Sequence, residues 1–246
     1  MTERVIGILG GMGPEATLAL FHRIIANTPA EGDRDHLHVV IVSNPKVPDR
    51  TAAILAGGES PVPAMAAGIK ALERAGADFV VIPCVSAHCF IEELRRESAL
   101  PILSMFDVTV GYIRRQRIMM NMVGLLGTTG TIRGGRFSEH LAASGIYTLP
   151  PAPADQERIM AAIYAVKAGA RGDARDRIRK EVAEVALKLV MQGAQGIVAG
   201  CTEIPLVLAQ SDIPVPVLDT LLILARAAIA AAGRTPADEP QGPETA

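Results

Sequence analysis

Two of the three cysteines stand where a thiol could take part in chemistry. Cys84, in the stretch VIPCVSAH, follows one apolar run, and Cys201, in GIVAGCTEI, follows another. Polar residues come after each of them, and both lie just before a predicted helix start, a position that lowers the pKa of a thiol. A thiolate is a nucleophile and a base, so the pair predicts acid–base or covalent catalysis. The alternative is that both cysteines are inert core residues.

The two cysteines are related by an internal repeat with a shift of 117 positions. IGILGGMG, which begins at Ile6, aligns with VGLLGTTG, which begins at Val123. At the same shift AGADFVVIPC, which ends at Cys84, aligns with QGAQGIVAGC, which ends at Cys201. Self-similarity on this scale predicts two similar halves of about a hundred residues each.

Short apolar runs alternate with longer helical patterns, and these elements must position the cysteines. Helices are predicted from Pro14 to about Asn27 and from Val62 to Arg74. The predicted strands are Val5 to Leu9, Val39 to Val42, Phe79 to Ile82 and Ile102 to Ser104. Apolar strands that alternate with helices are typical of an α/β fold with parallel sheets. Ligands bind beyond the carboxyl ends of such strands, so we expect two pseudo-twofold related halves with the active site in the cleft between them.

The boundaries of the halves follow from the repeat. The N-terminal α/β half is expected at residues 1–117 and the C-terminal half at residues 118–218. A helix near residues 219–232 is expected to join the first half. The segment 233–246 contains prolines and several charges and is predicted to be a disordered tail.

The composition argues against several classes of protein. The 246 residues carry a net charge of −2 and 3% aromatic residues, whereas a nucleic-acid surface needs positive charge and often stacking rings. No apolar stretch reaches the roughly 18 to 20 residues of a membrane span. The cysteines form no disulfide framework, and the N-terminal stretch MTERVIGILGG lacks a signal-peptide pattern. We therefore expect a cytoplasmic protein with neither a nucleic acid nor a membrane as its partner.

Glycine-rich turns and two basic residues predict a small dicarboxylic substrate. The turns Gly10–Gly13 and Gly127–Thr131 follow predicted strands and offer backbone N–H groups to an anion such as a carboxylate. Arg50 lies in SNPKVPDRTAAIL, a proline-rich loop that is a candidate lid, and the shift of 117 places it on Lys167. For each cation the alternative is a solvated surface position.

Patterns for a cofactor or a metal are weak. The stretch Gly11 to Ala16 fits the dinucleotide-binding pattern G-x-G-x-x-A, but the second predicted strand ends in SN instead of an acidic residue for a ribose. Cys84, His88 and Cys89 do not have a usual zinc-ligand spacing. Nothing marks a lysine for pyridoxal phosphate. We therefore predict an enzyme without cofactor or metal.

In combination, these motifs resemble those of the aspartate/glutamate racemases, in particular the aspartate racemase branch. The resemblance rests on GILGGMGPEAT, NPKVPDRTAAIL, PCVSAH, IYAVKAG and GCTEIPL, in that order, and covers nearly the whole chain before the tail. It implies two Rossmann-like halves, a pair of thiols as acid–base catalysts, no pyridoxal phosphate and commonly a homodimer.

The resemblance also implies roles for individual residues. Cys84 and Cys201 correspond to the catalytic pair, while Arg50 and Lys167 correspond to the residues that bind the side-chain carboxylate. The residues that correspond to the lining of the amino-acid pocket are Met12, Ser86, Thr128, Thr131 and Thr202.

Three further residues lie close to the two cysteines in the sequence, and their roles are open to interpretation. Glu203 orients the substrate ammonium group or a thiol, or it is a helix N-terminal carboxylate without a substrate role. His88 either tunes Cys84 or is structural. Cys89 is a core or spectator residue, because the shift of 117 matches it with Leu206.

One position departs from the family pattern. The resemblance implies Asn-Thr after the first cysteine, but this chain has Val85 and Ser86. Serine keeps the hydroxyl group, whereas valine lacks the amide that would bind the α-carboxylate. Loss of such a bond costs about 1 to 3 kcal/mol when its partner stays buried. The departure affects substrate choice more than proton transfer.

The resulting prediction is a pyridoxal-phosphate-independent racemase of an acidic amino acid, aspartate before glutamate, that uses two cysteines as two bases. One alternative is a relative that acts on a non-amino acid, such as a maleate-type cis–trans isomerase or a hydantoin-type racemase. The other alternative is a non-catalytic protein that binds a small acid. The expected partners are a small dicarboxylic substrate and a second copy of the chain.

Overall fold

The computed structural model describes residues 3–116 and 119–238. The strands in these ranges are β1 Ile6–Gly10, β2 Val39–Ser43, β3 Phe79–Val81, β4 Met122–Gly127, β5 Tyr147–Leu149, β6 Ile197–Gly200 and β7 Val217–Leu218. The α-helices are α1 Pro14–Asn27, α2 Arg50–Ala56, α3 Val62–Arg74, α4 Ile91–Glu97, α5 Met105–Arg114, α6 Thr129–Gly134, α7 Arg136–Ala142, α8 Pro153–Lys167, α9 Gly172–Met191 and α10 Thr220–Ala231. None of the helices in these ranges is long and apolar enough to cross a lipid bilayer.

The strands form two parallel sheets, one in each half of the chain. The first sheet has the order β2-β1-β3, and the second has the order β5-β4-β6-β7. A single parallel bridge between Val80 and Ile102 extends the first sheet beyond β3. The strand order is therefore the same in both sheets. This confirms the predicted α/β fold with parallel sheets in two halves.

The fourth predicted strand, Ile102 to Ser104, is wrong beyond its first residue. Only Ile102 makes a bridge, because Ser104 already caps the next helix. The Ser104 hydroxyl accepts a hydrogen bond from the backbone N–H of Asp107 at 3.2 Å. A side chain used as a helix N-cap fixes the chain direction there and ends the extended segment.

The repeat holds for the two central strands of each sheet. Gly7 of β1 is paired with Val80 of β3, and Gly124 of β4 is paired with Ile197 of β6. Both residues of the second pair lie 117 positions after those of the first. The shift of 117 therefore preserves the strand register as well as the sequence.

The repeat does not hold for the outer strands that follow, and this changes the interpretation of the two cations. Strand β5 begins 108 positions after β2, so the chain around these outer strands is out of step with the shift of 117, which is restored at β3 and β6. Arg50 is the first residue of α2, whereas Lys167 is the last residue of α8. The two residues are therefore not structural equivalents, although the sequence alignment pairs them.

A central hydrophobic cluster lies between the two halves. It contains Ile8 of β1, Leu125 of β4 and Phe137 of α7, all fully or almost fully buried. Helix α10 packs against α1 and α5 within this cluster. An ion pair of 2.7 Å between Arg23 and Asp219 joins α1 to the N-cap of α10. The last helix thus returns to the first half of the chain.

The proposed domain division and the predicted tail are only partly within the described residues. The border between 1–117 and 118–218 falls on residues outside the description, so this division stays a proposal. Residues 239–246 also lie outside it. Residues 233–238 differ from the prediction of disorder, because the backbone N–H of Ala237 donates to the Asn27 carbonyl oxygen at 2.8 Å and Arg234 pairs with Glu3 at 3.3 Å.

Candidate active site

Both predicted catalytic cysteines lie at the carboxyl ends of equivalent strands. Cys84 comes three residues after β3, and Cys201 comes directly after β6. Their exposed fractions are 4% and 6%. The Thr202 hydroxyl donates to the carbonyl oxygen of Pro83 at 3.2 Å, which is a contact between the halves. The segments that carry the two thiols therefore touch each other at the junction of the halves.

The surroundings of Cys84 are neutral within hydrogen-bond distance. Its Sγ atom lies 3.5 Å from the Ser86 hydroxyl, and a 3₁₀-helix, Ser86–Phe90, begins at that serine. The neighbouring Val85 is 2% exposed and packs into the central hydrophobic cluster. The departure from the family pattern at this position thus lies in the core.

The surroundings of Cys201 are acidic. Its Sγ donates to the Oε2 atom of Glu203 at 2.9 Å, and the Thr202 hydroxyl lies 3.4 Å from the same oxygen. Burial and the Glu203 carboxylate raise the pKa of the Cys201 thiol well above its ordinary value, and Lys167 opposes them only in part. The expected lowering of the pKa by a helix start is therefore wrong for Cys201. Only a three-residue 3₁₀-helix, Ile204–Leu206, follows this cysteine, and Glu203 decides the protonation of the thiol.

Glu203 also brings the Lys167 cation to the thiol. Oε1 of Glu203 lies 3.6 Å from Nζ of Lys167, and Glu203 is 2% exposed. Burial acts to lower the pKa of Lys167, but the negative charges of Cys201, Glu203 and Cys84 outweigh it and raise that pKa. Glu203 thus links a thiol to a cation, which favours the interpretation that it orients a thiol.

Arg50 and Lys167 meet at one backbone carbonyl. Nη2 of Arg50 donates to the Met12 carbonyl oxygen at 3.3 Å, and Nζ of Lys167 donates to the same oxygen at 3.2 Å. Arg50 also donates to the carbonyl oxygens of Val47 and Pro48 at 3.2 and 3.0 Å. Met12 presents its carbonyl to the two cations, while its side chain packs in the core of the first half.

The Arg50 segment is held against the second half by a close helix contact. Asp49 caps α2 by accepting a hydrogen bond from the Ala52 N–H at 2.7 Å. A Cβ atom on Gly130 of α6 would lie only 2.9 Å from the Cα atom of Thr51. The close approach of α2 to α6 therefore requires glycine at position 130.

Two predicted pocket hydroxyls form a pair at the start of α6. Thr128 caps the helix by accepting from the Thr131 N–H at 3.1 Å, and the two hydroxyl oxygens are also 3.1 Å apart. Gln156 donates to the Gly127 carbonyl oxygen at 3.0 Å and fixes the preceding turn. The two hydroxyls and the Gly127 carbonyl are thus paired, whereas the Oε1 atom of Gln156 is buried without a hydrogen-bond partner in the described residues.

The first glycine turn contributes less anion binding than the sequence predicts. The Gly11 N–H already donates to the Thr17 hydroxyl at 2.9 Å. Gly11 has a φ of +94°, and a Cβ atom there would lie 2.3 Å from the backbone of Asn44. The glycine is therefore needed for the close packing of the turn against the end of β2.

A small cavity between the halves brings four of the predicted residues together. Its volume is about 10 Å³, which is about the space of one water molecule. The lining residues are Asp49, Arg50, Thr51, Ser86, Thr128, Met160, Tyr164 and Lys167. Cys84, Cys201, Met12, Val85, Thr131, Thr202 and Glu203 are buried outside this lining. An amino acid does not fit into this volume, so α2 or its half must move to admit one.

Sequence reasoning missed four lining residues: Asp49, Thr51, Met160 and Tyr164. Asp49 and Thr51 flank Arg50 in the sequence and could have been included with it. Met160 and Tyr164 lie seven and three residues before Lys167, which places them on the same face of α8. Helical periodicity counted back from Lys167 would have identified them.

Neither His88 nor Cys89 hydrogen-bonds the thiol of Cys84 or Cys201 in the described residues, which favours the structural interpretation of His88 and the spectator interpretation of Cys89. Nδ1 of His88 is 2.9 Å from the Cys84 carbonyl oxygen and not bound to its thiol. Burial lowers the pKa of His88 to about 4 and raises the pKa of Cys89 to about 11. No group of three His, Cys, Asp or Glu side chains in residues 3–116 and 119–238 is arranged to hold a metal ion.

Comparison with known proteins identifies the family. The family model described as Asp/Glu/Hydantoin racemase matches residues 9–228, which is most of the chain. The chain belongs to the Asp/Glu/Hydantoin racemase family. This confirms the resemblance seen in the motifs, and it makes the protein an enzyme of the isomerase class.

Individual racemases of this family are similar over almost their whole length. The broad specificity amino-acid racemase RacX of Bacillus subtilis is 24% identical over 231 residues, with 92% of this chain and 96% of the relative covered. The aspartate racemase of Picrophilus torridus superimposes with a TM-score of 0.82 at 31% identity, with 95% and 96% covered. An aspartate racemase homologue from Pyrococcus horikoshii gives 0.74 at 26% identity, with 94% and 100% covered.

Proposed function

We propose that the protein interconverts the L and D forms of an acidic amino acid, aspartate before glutamate, with Cys84 and Cys201 as its two bases and without a cofactor. One observation carries the proposal. Two buried thiols follow equivalent strands of the two halves, and their segments touch through Thr202 and Pro83. A substrate between the halves would then meet one thiol on each face of its α-carbon.

Proton transfer across the α-carbon requires one thiolate and one thiol. The thiolate takes the α-proton, the C–H bond breaks, and its electron pair is delocalised into the α-carboxylate. The opposite thiol then gives its proton to the other face of the α-carbon and becomes the thiolate. The enzyme ends with the two protonation states exchanged, ready for the reverse reaction.

The acidic neighbour of Cys201 decides how the resting enzyme is protonated. Because Glu203 accepts a hydrogen bond from the thiol at 2.9 Å, Cys201 starts as the acid. The role of the first base then falls to Cys84, whose contact at 3.5 Å is the neutral hydroxyl of Ser86. Glu203 therefore makes the two otherwise similar halves chemically different.

Arg50 and Lys167 supply the positive charge that the reaction needs. The α-proton is a very weak acid, and cations near the developing negative charge stabilise the transition state. Both cations now donate to the Met12 carbonyl oxygen. A substrate carboxylate would replace this neutral acceptor by a charged one, which forms stronger hydrogen bonds.

The substrate preference rests on similarity and on the two cations. The protein from Picrophilus torridus that shares 31% identity with this chain is described as an aspartate racemase, which favours aspartate. RacX is described as having broad specificity. The chain also has valine at position 85, where it lacks an amide for the α-carboxylate. We therefore include other amino acids in the substrate test.

A second candidate function is isomerisation of a non-amino acid by the same thiols. The family description includes hydantoin racemases, and position 85 has a core valine where the resemblance implies an asparagine. A maleate-type isomerase would form a persistent covalent adduct on one cysteine, whereas a racemase forms none. Mass spectrometry of the protein after incubation with maleate separates these two cases. Binding of a small acid without turnover would instead support the non-catalytic alternative.

The homodimer and the cytoplasmic location stay predictions. The homodimer derives from the family resemblance, and the location derives from the cysteine content and the N-terminal stretch. Light scattering after size-exclusion chromatography tests the first, with a mass of about twice 25.9 kDa as the expected result.

Proton NMR in D2O tests the proposed function directly. The reduced enzyme is incubated with L-aspartate, then L-glutamate and an apolar amino acid, without added cofactor. We expect loss of the α-proton signal and appearance of the D isomer, with both abolished in Cys84→Ala and Cys201→Ala. A wild-type enzyme that neither exchanges nor racemises any of these amino acids would contradict the proposal and direct the search to non-amino dicarboxylates.

A further inference from the structure

A second and much larger cavity lies behind helix α2. Its volume is about 470 Å³, within the range of about 300 to 1,000 Å³ that is common for small-molecule sites. It is lined by residues from both halves of the chain. The lining residues are Ala53, Ile54, Leu55, Cys89, Phe90, Glu93, Arg133, Gly134 and Arg136.

The lining combines positive charge with apolar surface. Arg133 and Arg136 are exposed, and neither guanidinium forms an ion pair or hydrogen bond with another side chain in the described part of the chain. Glu93 is the one carboxylate in the lining, so positive charge is in excess. Leu55, with 41% of its surface exposed, and the half-buried Phe90 provide the apolar part.

The elements that line this cavity also form the walls of the first one. Helix α2 carries Arg50 at its start, the 3₁₀-helix carries Ser86 at its start, and Thr128 caps α6. These three residues line the small cavity between the halves. The far ends of the same three elements line the larger cavity. A molecule bound there would touch three of the four elements that line the small cavity, the fourth being α8.

We propose that the larger cavity binds a small molecule that joins one anionic group to an apolar body, and that this binding is coupled to opening of α2. The anionic group would lie between Arg133 and Arg136, and the apolar body against Leu55 and Phe90. Planar guanidinium groups bind carboxylate, sulfonate and phosphate oxygens with similar geometry. The proposed ligand class therefore includes molecules with any of these three anionic groups.

The coupling follows from the position of α2. This helix must leave α6 to admit a substrate, and Gly134 is so close to Ile54 that a Cβ atom would lie 2.7 Å from its Cγ2 atom. A ligand that contacts both helices stabilises their present arrangement and opposes opening. The coupling is reciprocal: a ligand that binds the closed arrangement more tightly disfavours opening of α2, and opening of α2 weakens binding of that ligand.

The test uses 1-anilinonaphthalene-8-sulfonate, a fluorescent probe with one sulfonate on an apolar ring system. We expect saturable binding of one probe per chain. The double variant Arg133→Ala with Arg136→Ala should weaken binding at least about tenfold, because it removes the attraction for the anion. Leu55→Glu should have a similar effect, because it removes apolar contact and adds a charge that repels the anion. Arg177→Ala, an exposed arginine of α9, and Lys167→Gln, in the small cavity, should bind as the wild type does.

Two outcomes would overturn the proposal. The first is equal affinity in the wild type, the Arg133/Arg136 double variant and the Arg177 control, which would indicate unspecific adsorption. The second is loss of binding in Lys167→Gln alone, which would place the probe in the small cavity.

The coupling is measured by the rate at which iodoacetamide alkylates Cys84. The Cys84 residue is 4% exposed in the closed arrangement. Saturating probe should slow this alkylation several-fold, and an unchanged rate would refute the coupling. Both measurements are independent of racemase activity.

Discussion

The side chains of Arg50 and Lys167, which belong to opposite halves of the chain, donate hydrogen bonds to the same oxygen atom, the carbonyl of Met12. The two distances are 3.3 and 3.2 Å. Two cations around one acceptor repel each other, and a neutral carbonyl compensates this only in part. Glu203, 3.6 Å from Lys167, offsets part of this repulsion, and in the proposed function a substrate carboxylate would take the place of the carbonyl.

Replacement of either cation should weaken catalysis strongly. For Arg50→Gln and Lys167→Gln we expect kcat/KM on the best substrate to fall about 10- to 100-fold, because a hydrogen bond to a charged group contributes about 1.5 to 3 kcal/mol. Steady-state kinetics measures the change. Lys70→Gln, on the exposed face of α3, is the control and should leave kcat/KM unchanged. A normal kcat/KM in both cavity variants would show that the cations do not bind the substrate.

The carboxylate of Glu203 should control the reactivity of Cys201. In Glu203→Gln the negative charge next to the thiol is removed, so the thiolate is less disfavoured and the pKa of Cys201 falls. Alkylation by iodoacetamide requires the thiolate, and its pH profile for Cys201 should move to lower pH. Peptide mass spectrometry follows Cys84 and Cys201 separately. Glu97→Gln, exposed at the end of α4, is the control, and a profile that moves equally in both variants would contradict this role.

The contact between α2 and α6 should depend on Gly130. In Gly130→Ala the new methyl group would lie 2.9 Å from the Thr51 backbone and push the helices apart. We expect a loss of about 1 to 3 kcal/mol in the free energy of unfolding and a higher KM, because Arg50 is displaced. Urea denaturation and kinetics measure the two effects.

The matched control for this substitution is Gly32→Ala. A Cβ atom at position 32 has no neighbour within 4 Å, and its φ of −162° is ordinary extended backbone. Stability and KM should stay close to those of the wild type. An equal loss of stability in both glycine variants would mean that the α2–α6 contact is not the cause.

Buried His88 should make the protein less stable in mild acid. Its pKa is lowered by burial from 6.5 to about 4 in the folded protein, so the unfolded chain binds the proton more tightly. The stabilising contribution is complete above pH 6.5 and is lost as the pH falls toward 4, by up to about 3 kcal/mol. Urea denaturation at a series of pH values measures this slope. The pH dependence of the unfolding free energy should become weaker in His88→Gln. It should be unchanged in the control His22→Gln, because His22 is exposed. An unchanged pH dependence in His88→Gln would show that His88 is not its cause.

The motifs were sufficient to predict the α/β class, the parallel sheets, the two halves and the family. The reason is that strand pairing and tight turns leave local signals. Gly76 and Gly193, which are 117 positions apart, both adopt positive φ angles of 87° and 101° after a helix, and only glycine does this at little cost. Such positions repeat in the sequence because the backbone conformation repeats.

The tertiary structure alone decided how the site residues are related. The sequence pairs Arg50 with Lys167, but one begins α2 and the other ends α8, and they meet only because the halves fold against each other. The sequence predicts a helix start after Cys201, where the structure has only a short 3₁₀-helix. The protonation of that thiol depends on burial and on the direction of the Glu203 side chain. Local patterns record backbone conformation and residue type, whereas distances between charges arise from packing of segments far apart in the chain.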